Sequence, residues 1–169
     1  FDDGFRNFRE HAFPVLQELR FPATVFIVTG YCGKTNQWPN QPEPVPCLDL
    51  LSWSEISELA RYGVDFGGHS VNHPDLARID RNVAVSEIRQ CGTELGDRLG
   101  RAIESFAWPY GSSNHDLRME VADKFPLGCG TDLRSLEGDH ERAALPRIDA
   151  YYLARTFWFQ RLRSPLGKS

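Results

Sequence analysis

The stretch Leu51–Pro74, "LSWSEISELARYGVDFGGHSVNHP", decides how the chain reads. Its first half, "SWSEISELARYG", is helical in pattern: Ser52 or Ser54 can cap the start and Gly63 can end it. "VDFGGHS" (64–70) then reads as a strand running into a loop. A helix that feeds a strand, which in turn ends in polar residues, is one unit of a β-α repeat.

The same alternation extends in both directions. Upstream, "ATVFIV" (23–28) is β-branched and aromatic, as a buried strand is. Before it, residues 6–20 carry Phe8, Ala12, Val15, Leu16 and Leu19 near helical spacing, and Pro14 should kink that helix or start a second one. Residues 30–52 hold four prolines and polar filler and predict a long loop, a length often used for lids or binding loops. Downstream, 81–100 is the best helix. Ala84, Ile88, Cys91, Leu95 and Leu99 form one stripe, Asp80 caps it and Gly100 ends it. "IESFAW" (103–108) predicts a strand, 114–125 a helix and "LGCGTDL" (127–133) a strand. "LPRIDAYY" (145–152) is a last extended piece leading into "LARTFWFQRLR" (153–163). Alternating strands and helices imply an α/β fold with a parallel sheet. An open doubly wound sheet and a closed barrel both satisfy the pattern. The chain has no internal repeat and reads as one domain over 1–169.

Composition sets the bounds. Of 169 residues, 41% are hydrophobic and 25% charged, which suits a globular domain with a sizeable core. No apolar run approaches the ~18 residues that cross a bilayer. The net charge of -4 argues against a nucleic-acid binder. The basic stretch 154–169 reads as a solvated helix face rather than a contact for a membrane or an anionic polymer. The four cysteines form no CxxC pair, so a zinc knuckle is not expected. Cys91 and Cys129 read as core residues, while Cys32 and Cys47 flank the long loop and could pair in an oxidising compartment.

In β-α architectures, sites form at the C-terminal ends of strands. The polar residues at such places are Asp2 and Asp3 of "FDDG" (if a strand runs into Phe1), His69 and His73 of "HSVNHP", Tyr110 after "FAWP", and Arg147 in "LPRID". Four residues apart in one helical turn, His69 and His73 share a side, and Pro74 requires the turn to end there. Two imidazoles and one carboxylate are a familiar set for zinc, with a position left open for water. Adjacent carboxylates can divide labour, Asp3 on a metal and Asp2 as a free base. Each short motif alone also reads as a plain loop or turn. Phe106 reads as core. Trp108, beside Pro109 at a strand end, fits either a core or a platform for a sugar ring.

Taken together and in this order, "FDDG", "HSVNHP" and "FAWPYG" resemble the polysaccharide deacetylases of the NodB type, carbohydrate esterase family four. "PATVFIVTGY" (22–31) and "LSWSEISELARYGVDFGGHS" (51–70) are similar to that family's second strand and to the helix–strand unit before its histidines. The resemblance implies a distorted (β/α) barrel, here lacking its N-terminal strand, a divalent metal (usually zinc), and hydrolysis of acetyl groups from an N-acetylated polysaccharide. It implies Asp3, His69 and His73 as metal ligands, Asp2 as general base, and the Tyr110 backbone N–H in an oxyanion hole. Trp108, Pro109 and Tyr110 would line the substrate, and Ser70 and Asn72 would orient the histidines.

Two positions depart from the family pattern. Many members carry an arginine three residues before the motif tyrosine, where this chain has Ala107, and Arg147 is the expected replacement that holds Asp2 ionised. Many also supply a histidine near the C-terminus as general acid. No histidine follows His140, and neither His140 nor His115 suits the role. A subgroup resembling the exopolysaccharide deacetylases takes this histidine from upstream of its "FDDG", and "FAWPYG" and "LPRID" fit that subgroup. On that reading, a first strand and the acid lie before Phe1. A small-amide hydrolase on the same scaffold and a non-catalytic carbohydrate-binding module remain as other readings. A long groove lined by Trp38, Trp53 or Trp108 would favour a polymer. The sequence leaves the compartment open, with the cell envelope or the outside of the cell favoured over the cytoplasm.

Overall fold

Four short strands carry the architecture. β1 (Thr24–Ile27), β2 (Asp65–Gly68), β3 (Ser105–Ala107) and β4 (Leu127–Cys129) lie side by side in chain order, all parallel. The structure, a computed structural model, describes residues 1–39, 41, 44–134 and 141–150. The predicted segment 153–163, the basic stretch 154–169 and His140 therefore lie outside the described residues.

The strands are apolar because both faces of a parallel sheet are covered. Val25, Phe26, Ile27, Phe66, Phe106 and Ala107 are all buried. Helix α3 (Arg81–Leu99) packs against β2, α2 (Trp53–Arg61) and α4 (His115–Lys124). Its predicted stripe is inward: Ala84, Ile88, Cys91 and Leu95 are fully buried, and Leu99 packs against the same core. The glycine pair in β2 makes this close packing possible. A Cβ on Gly68 would sit 2.8 Å from Cys91 Sγ, and one on Gly67 would sit 2.5 Å from the Phe26 ring.

Helix boundaries follow local chemistry. Ser52 and Glu55 form a reciprocal capping box at the start of α2. The Asp80 carboxylate accepts the N–H groups of Asn82 and Val83, and Gly100 ends α3 in the left-handed conformation at φ 66°. Asn114 caps α4 through the Leu117 N–H. Near the N-terminus, Pro14 has the expected effect. The chain forms a π-helical turn over Phe8–Ala12 and then α1 (Phe13–Glu18), with the proline in the first helical turn, where its missing N–H costs nothing.

Three expectations are corrected. The strands 103–108 and 127–133 shrink to β3 and β4, because Trp108 leads into a 3-10 turn at Pro109–Gly111 and the chain leaves the sheet after Cys129. The four cysteines are free thiols: Cys47 is exposed and Cys32 half-buried, and burial pushes the Cys32 thiol up to about 12. Cys129 is half-buried at the end of β4 rather than in the core, unlike Cys91.

The flanks of the sheet curl toward each other. On the β1 side, the Phe1 carbonyl accepts the Phe26 N–H at 2.8 Å and the Phe1 ammonium donates to the Thr24 carbonyl at 2.9 Å. On the β4 side, the Leu145 N–H donates to Gly128 O and the Leu145 carbonyl accepts the Gly130 N–H. Just beyond these bonds, Asp2 on one flank and Arg147, two residues after Leu145, on the other are in direct contact. That curl belongs to a barrel, not to an open doubly wound sheet. The described residues of segment 30–52 have little regular structure, but they are pinned at the base of the loop. Buried Asn36 accepts the Leu48 N–H and donates to the Pro46 carbonyl, and single bridges join Phe5 to Leu50 and Thr35 to Asp49.

Candidate metal and catalytic site

Three loops at the C-terminal ends of strands, together with "FDDG", meet at one point. Asp3, His69 and His73 converge there with their donor atoms within 4.8 Å of one another. Asp3 Oδ1 lies 3.2 Å from His69 Nε2 and 3.2 Å from His73 Nε2, and the two Nε2 atoms are 3.3 Å apart. A tetrahedral ion with bonds of ~2.0–2.1 Å has ligand–ligand edges of about 3.3 Å. The three donors therefore already stand at the separation that zinc requires.

Each histidine is aimed by its surroundings. His69 Nδ1 lies 2.7 Å from the Ala107 carbonyl. A carbonyl can only accept, so Nδ1 carries the proton and Nε2 faces Asp3. His73 is held between two aromatic rings, Trp38 with ring centroids 4.3 Å away and Tyr110 with centroids 4.6 Å away. Its backbone N–H donates to Ser70 Oγ at 2.9 Å, so Ser70 supports His73 as expected. Asn72 does not touch either imidazole directly; its amide donates to Glu87.

The backbone is strained where the chemistry would be. Among the described residues, five non-glycine positions have positive φ, and four of them are Asp3, Ser70, His73 and Tyr110. A left-handed φ costs a residue with a Cβ ~1–2 kcal/mol, and such strain concentrates at functional sites.

Asp2 stands beside the cluster in the grip of Arg147. Nη1 donates to Oδ1 at 2.7 Å and Nη2 to Oδ2 at 2.8 Å, while Nε donates to the Gly130 carbonyl at 2.8 Å. Burial alone would raise the Asp2 carboxyl. The Arg147 hydrogen bonds, helped by charge on His69, outweigh it and hold Asp2 below its ordinary value. Asp3 is likewise opposed by burial, yet hydrogen bonds from His69 and His73 hold it far below the carboxylate range. Burial pushes His73 down, whereas Asp3 and Asp2 overcome burial and raise His69.

Two expected substrate contacts are corrected. Trp108 is 1% exposed, its indole N–H donates to the Ala143 carbonyl at 2.7 Å, and its ring packs edge-on against Phe106. It is core, and so is Pro109, which is buried beside it. Tyr110 is the accessible member of the motif, 43% exposed. A groove lined by Trp38, Trp53 or Trp108, the feature that would favour a polymer, is not formed among the described residues: Trp38 is buried over His73, and half-buried Trp53 packs on the core with the Arg98 guanidinium over its ring. His115 begins α4 and is exposed.

Sequence reasoning missed three contributors. Trp38 leaves no local signal beyond its place in a long loop, and the Ala107 carbonyl leaves none. Glu87 does leave one. It falls on the inward face of α3, between Ala84 and Ile88 in the apolar stripe, and is 9% exposed. A carboxylate in a buried stripe must have polar partners, and here they are N–H groups of the histidine loop.

A sequence model of the family described as polysaccharide deacetylase matches residues 1–127. The chain is 27% identical over 164 residues to a poly-beta-1,6-N-acetyl-D-glucosamine N-deacetylase of Staphylococcus aureus, which covers 92% of this chain and 51% of that protein. It is 28% identical to the protein of that name from Staphylococcus epidermidis, covering 92% of this chain and 52% of that one. The chain spans about half the length of the curated relatives it matches. Among solved structures it is similar to IcaB from Ammonifex degensii, with a TM-score of 0.77 and 22% identity, covering 100% of this chain and 71% of that one. It is also similar to the Streptococcus pyogenes deacetylase PplD in complex with acetate, with a TM-score of 0.74 and 25% identity, covering 88% and 61%.

Proposed function

The chain belongs to the polysaccharide deacetylase family, and from that premise we propose that it hydrolyses acetyl groups from the N-acetylated sugars of a polysaccharide. The observation that carries the proposal is the Asp3–His69–His73 cluster standing next to a carboxylate kept ionised by a bidentate arginine. The names of the staphylococcal relatives support poly-β-1,6-N-acetylglucosamine as the polymer. A polymer of that kind favours action at the cell envelope or outside the cell.

Asp3, His69 and His73 would hold a divalent cation, zinc first, since two imidazoles and a carboxylate suit it. Such an ion supplies Lewis acidity, polarising the acetyl carbonyl and lowering the pKa of water toward ~7. Asp2, ionised and adjacent, takes the proton of the attacking water. Once protonated, it can pass that proton to the departing amine. Arg147 keeps Asp2 from rotating, so its oxygens stay aimed. The strained Tyr110 backbone would present its N–H to the developing oxyanion, a contact worth roughly 3 kcal/mol. Trp38 and the Tyr110 ring limit water at His73 from two sides.

The test is acetate release. The zinc-loaded protein should free acetate from poly-β-1,6-N-acetylglucosamine oligomers, and dialysis against a chelator should abolish the release until zinc is returned. Glycan binding with no acetate release from any N-acetylated glycan would overturn the proposal and leave a binding module. Release from small amides alone would leave the scaffold but overturn the substrate.

A further inference from the structure

Loop 69–73 carries two of the three donors of the cluster, and its backbone bonds can be followed group by group. The His69 N–H goes to the Ile27 carbonyl, and the carbonyls of Ser70 and Val71 accept the N–H groups of Thr29 and Gly30. The His73 N–H goes to Ser70 Oγ. The Ser70 N–H faces the Cys91 sulfur, and the N–H groups of Val71 and Asn72 remain. Both donate to one oxygen of Glu87, Oε2, at 2.8 Å, while Asn72 Nδ2 donates to Oε1 at 2.7 Å.

We propose that Glu87, a buried carboxylate on α3, is the positioning residue that fixes the histidine loop in the geometry that binds the cation. This rests on the metal reading of Asp3, His69 and His73. Three features support it. A carboxylate is an acceptor with room for several donors, and here it satisfies three at short distance. The turn it holds is a strained one, with Ser70 and His73 both at positive φ, so the relaxed backbone would not place the two imidazoles together. The opposite side of the loop has no slack: a Cβ on Gly30 would lie 2.7 Å from the Val71 carbonyl and 3.2 Å from Asn72 Oδ1. The loop is thus clamped between Gly30 and Glu87, and the clamp belongs to the long, well-buried α3 rather than to another loop. Glu87 touches neither imidazole. It acts through the main chain, by setting where their Cα atoms sit.

The experiment compares Glu87→Gln, Glu87→Met and the parent protein by zinc titration and by amide hydrogen exchange in the metal-free state. Glutamine keeps one acceptor oxygen and can pair with a turned Asn72 amide; methionine keeps the volume and removes both acceptors. Zinc affinity should fall about 3–10-fold for Gln and about 10–100-fold for Met, the range seen when outer supports of metal ligands are lost. Exchange should accelerate at the Val71 and Asn72 amides in the same order. Leu95→Val on the same helix is the control for general loss of stability: it should lower Tm and leave zinc affinity unchanged. If Glu87→Met does not fold, Glu87→Gln decides alone. Parent-like zinc affinity in the folded variants, or unchanged exchange at Val71 and Asn72, overturns the role given to Glu87. Absence of zinc binding by the parent overturns the proposed function instead, and the exchange data then still judge whether Glu87 holds the loop.

Discussion

The Ala107 carbonyl fixes the tautomer of His69 by accepting its Nδ1–H at 2.7 Å. The residue that holds this position contributes only main chain to the site, so its alanine side chain is free to be small and buried. Position 107 thus serves the cluster through its backbone, while Arg147 approaches Asp2 from the other flank of the sheet.

Zinc should stabilise the protein through the three donors. At free metal 100 times Kd the gain is about 2.7 kcal/mol. For a domain of this size that raises Tm by about 5–10 °C. A chelator should reverse the shift, and His69→Gln or His73→Gln should remove it. Differential scanning with and without zinc checks this, and an equal shift in the His69→Gln variant would count against the cluster.

Asp2 and Arg147 should separate chemistry from metal binding. Asp2→Asn should lower kcat by about 10²–10⁴ while zinc affinity stays within about threefold. Arg147→Lys should recover part of the activity lost in Arg147→Ala, because an ammonium restores charge but not the two-pronged grip. Steady-state kinetics beside zinc titration decides. A variant of Asp2 that loses metal and activity together would make it a ligand rather than a base.

Trp108 should matter for folding and not for substrate. Trp108→Phe leaves the Ala143 carbonyl without its donor and should cost about 1 kcal/mol. Trp108→Ala also opens a cavity and should cost about 3–5 kcal/mol. KM for a glycan should be unchanged in Trp108→Phe. A sugar platform would instead show as a raised KM with unchanged stability.

Stability should fall in acid partly through Glu55. Burial opposes its ionisation, but the bonds from the Ser52 backbone and hydroxyl and the charges of Arg6 and Arg9 prevail and lower its pKa from the ordinary 4.5. The unfolded chain therefore binds this proton at higher pH than the folded one. The contribution is complete above about pH 5 and is lost as pH falls through the lowered value. Urea unfolding from about pH 7 to about pH 3 should show a shallower loss for Glu55→Gln than for the parent. Parallel curves would remove Glu55 from the acid transition.

Much of this was legible in the chain because it is local. Ser52, Asp80 and Gly100 act within a few residues of themselves, and the stripe on α3 repeats at the helix period. His69 and His73 share one short loop. What pattern could not supply were contacts set by the curl of the sheet. Whether Trp108 faces a sugar or the core depends on where Ala143 passes, and sequence spacing does not record that. Trp38 reaches His73 from a loop with little periodicity, and Ala107 acts through a carbonyl that every residue has.

The contact between Asp2 and Arg147 spans 145 residues of chain. Bringing two such distant points together costs an unstructured chain about 4 kcal/mol in loop-closure entropy, and nothing local repays it in advance. The helices and the Ser52–Glu55 cap can form early, whereas this closure must wait until the sheet has curled. In refolding from denaturant, helical signal should therefore return before hydrolytic competence. The last event of folding would then be the one that arms the base.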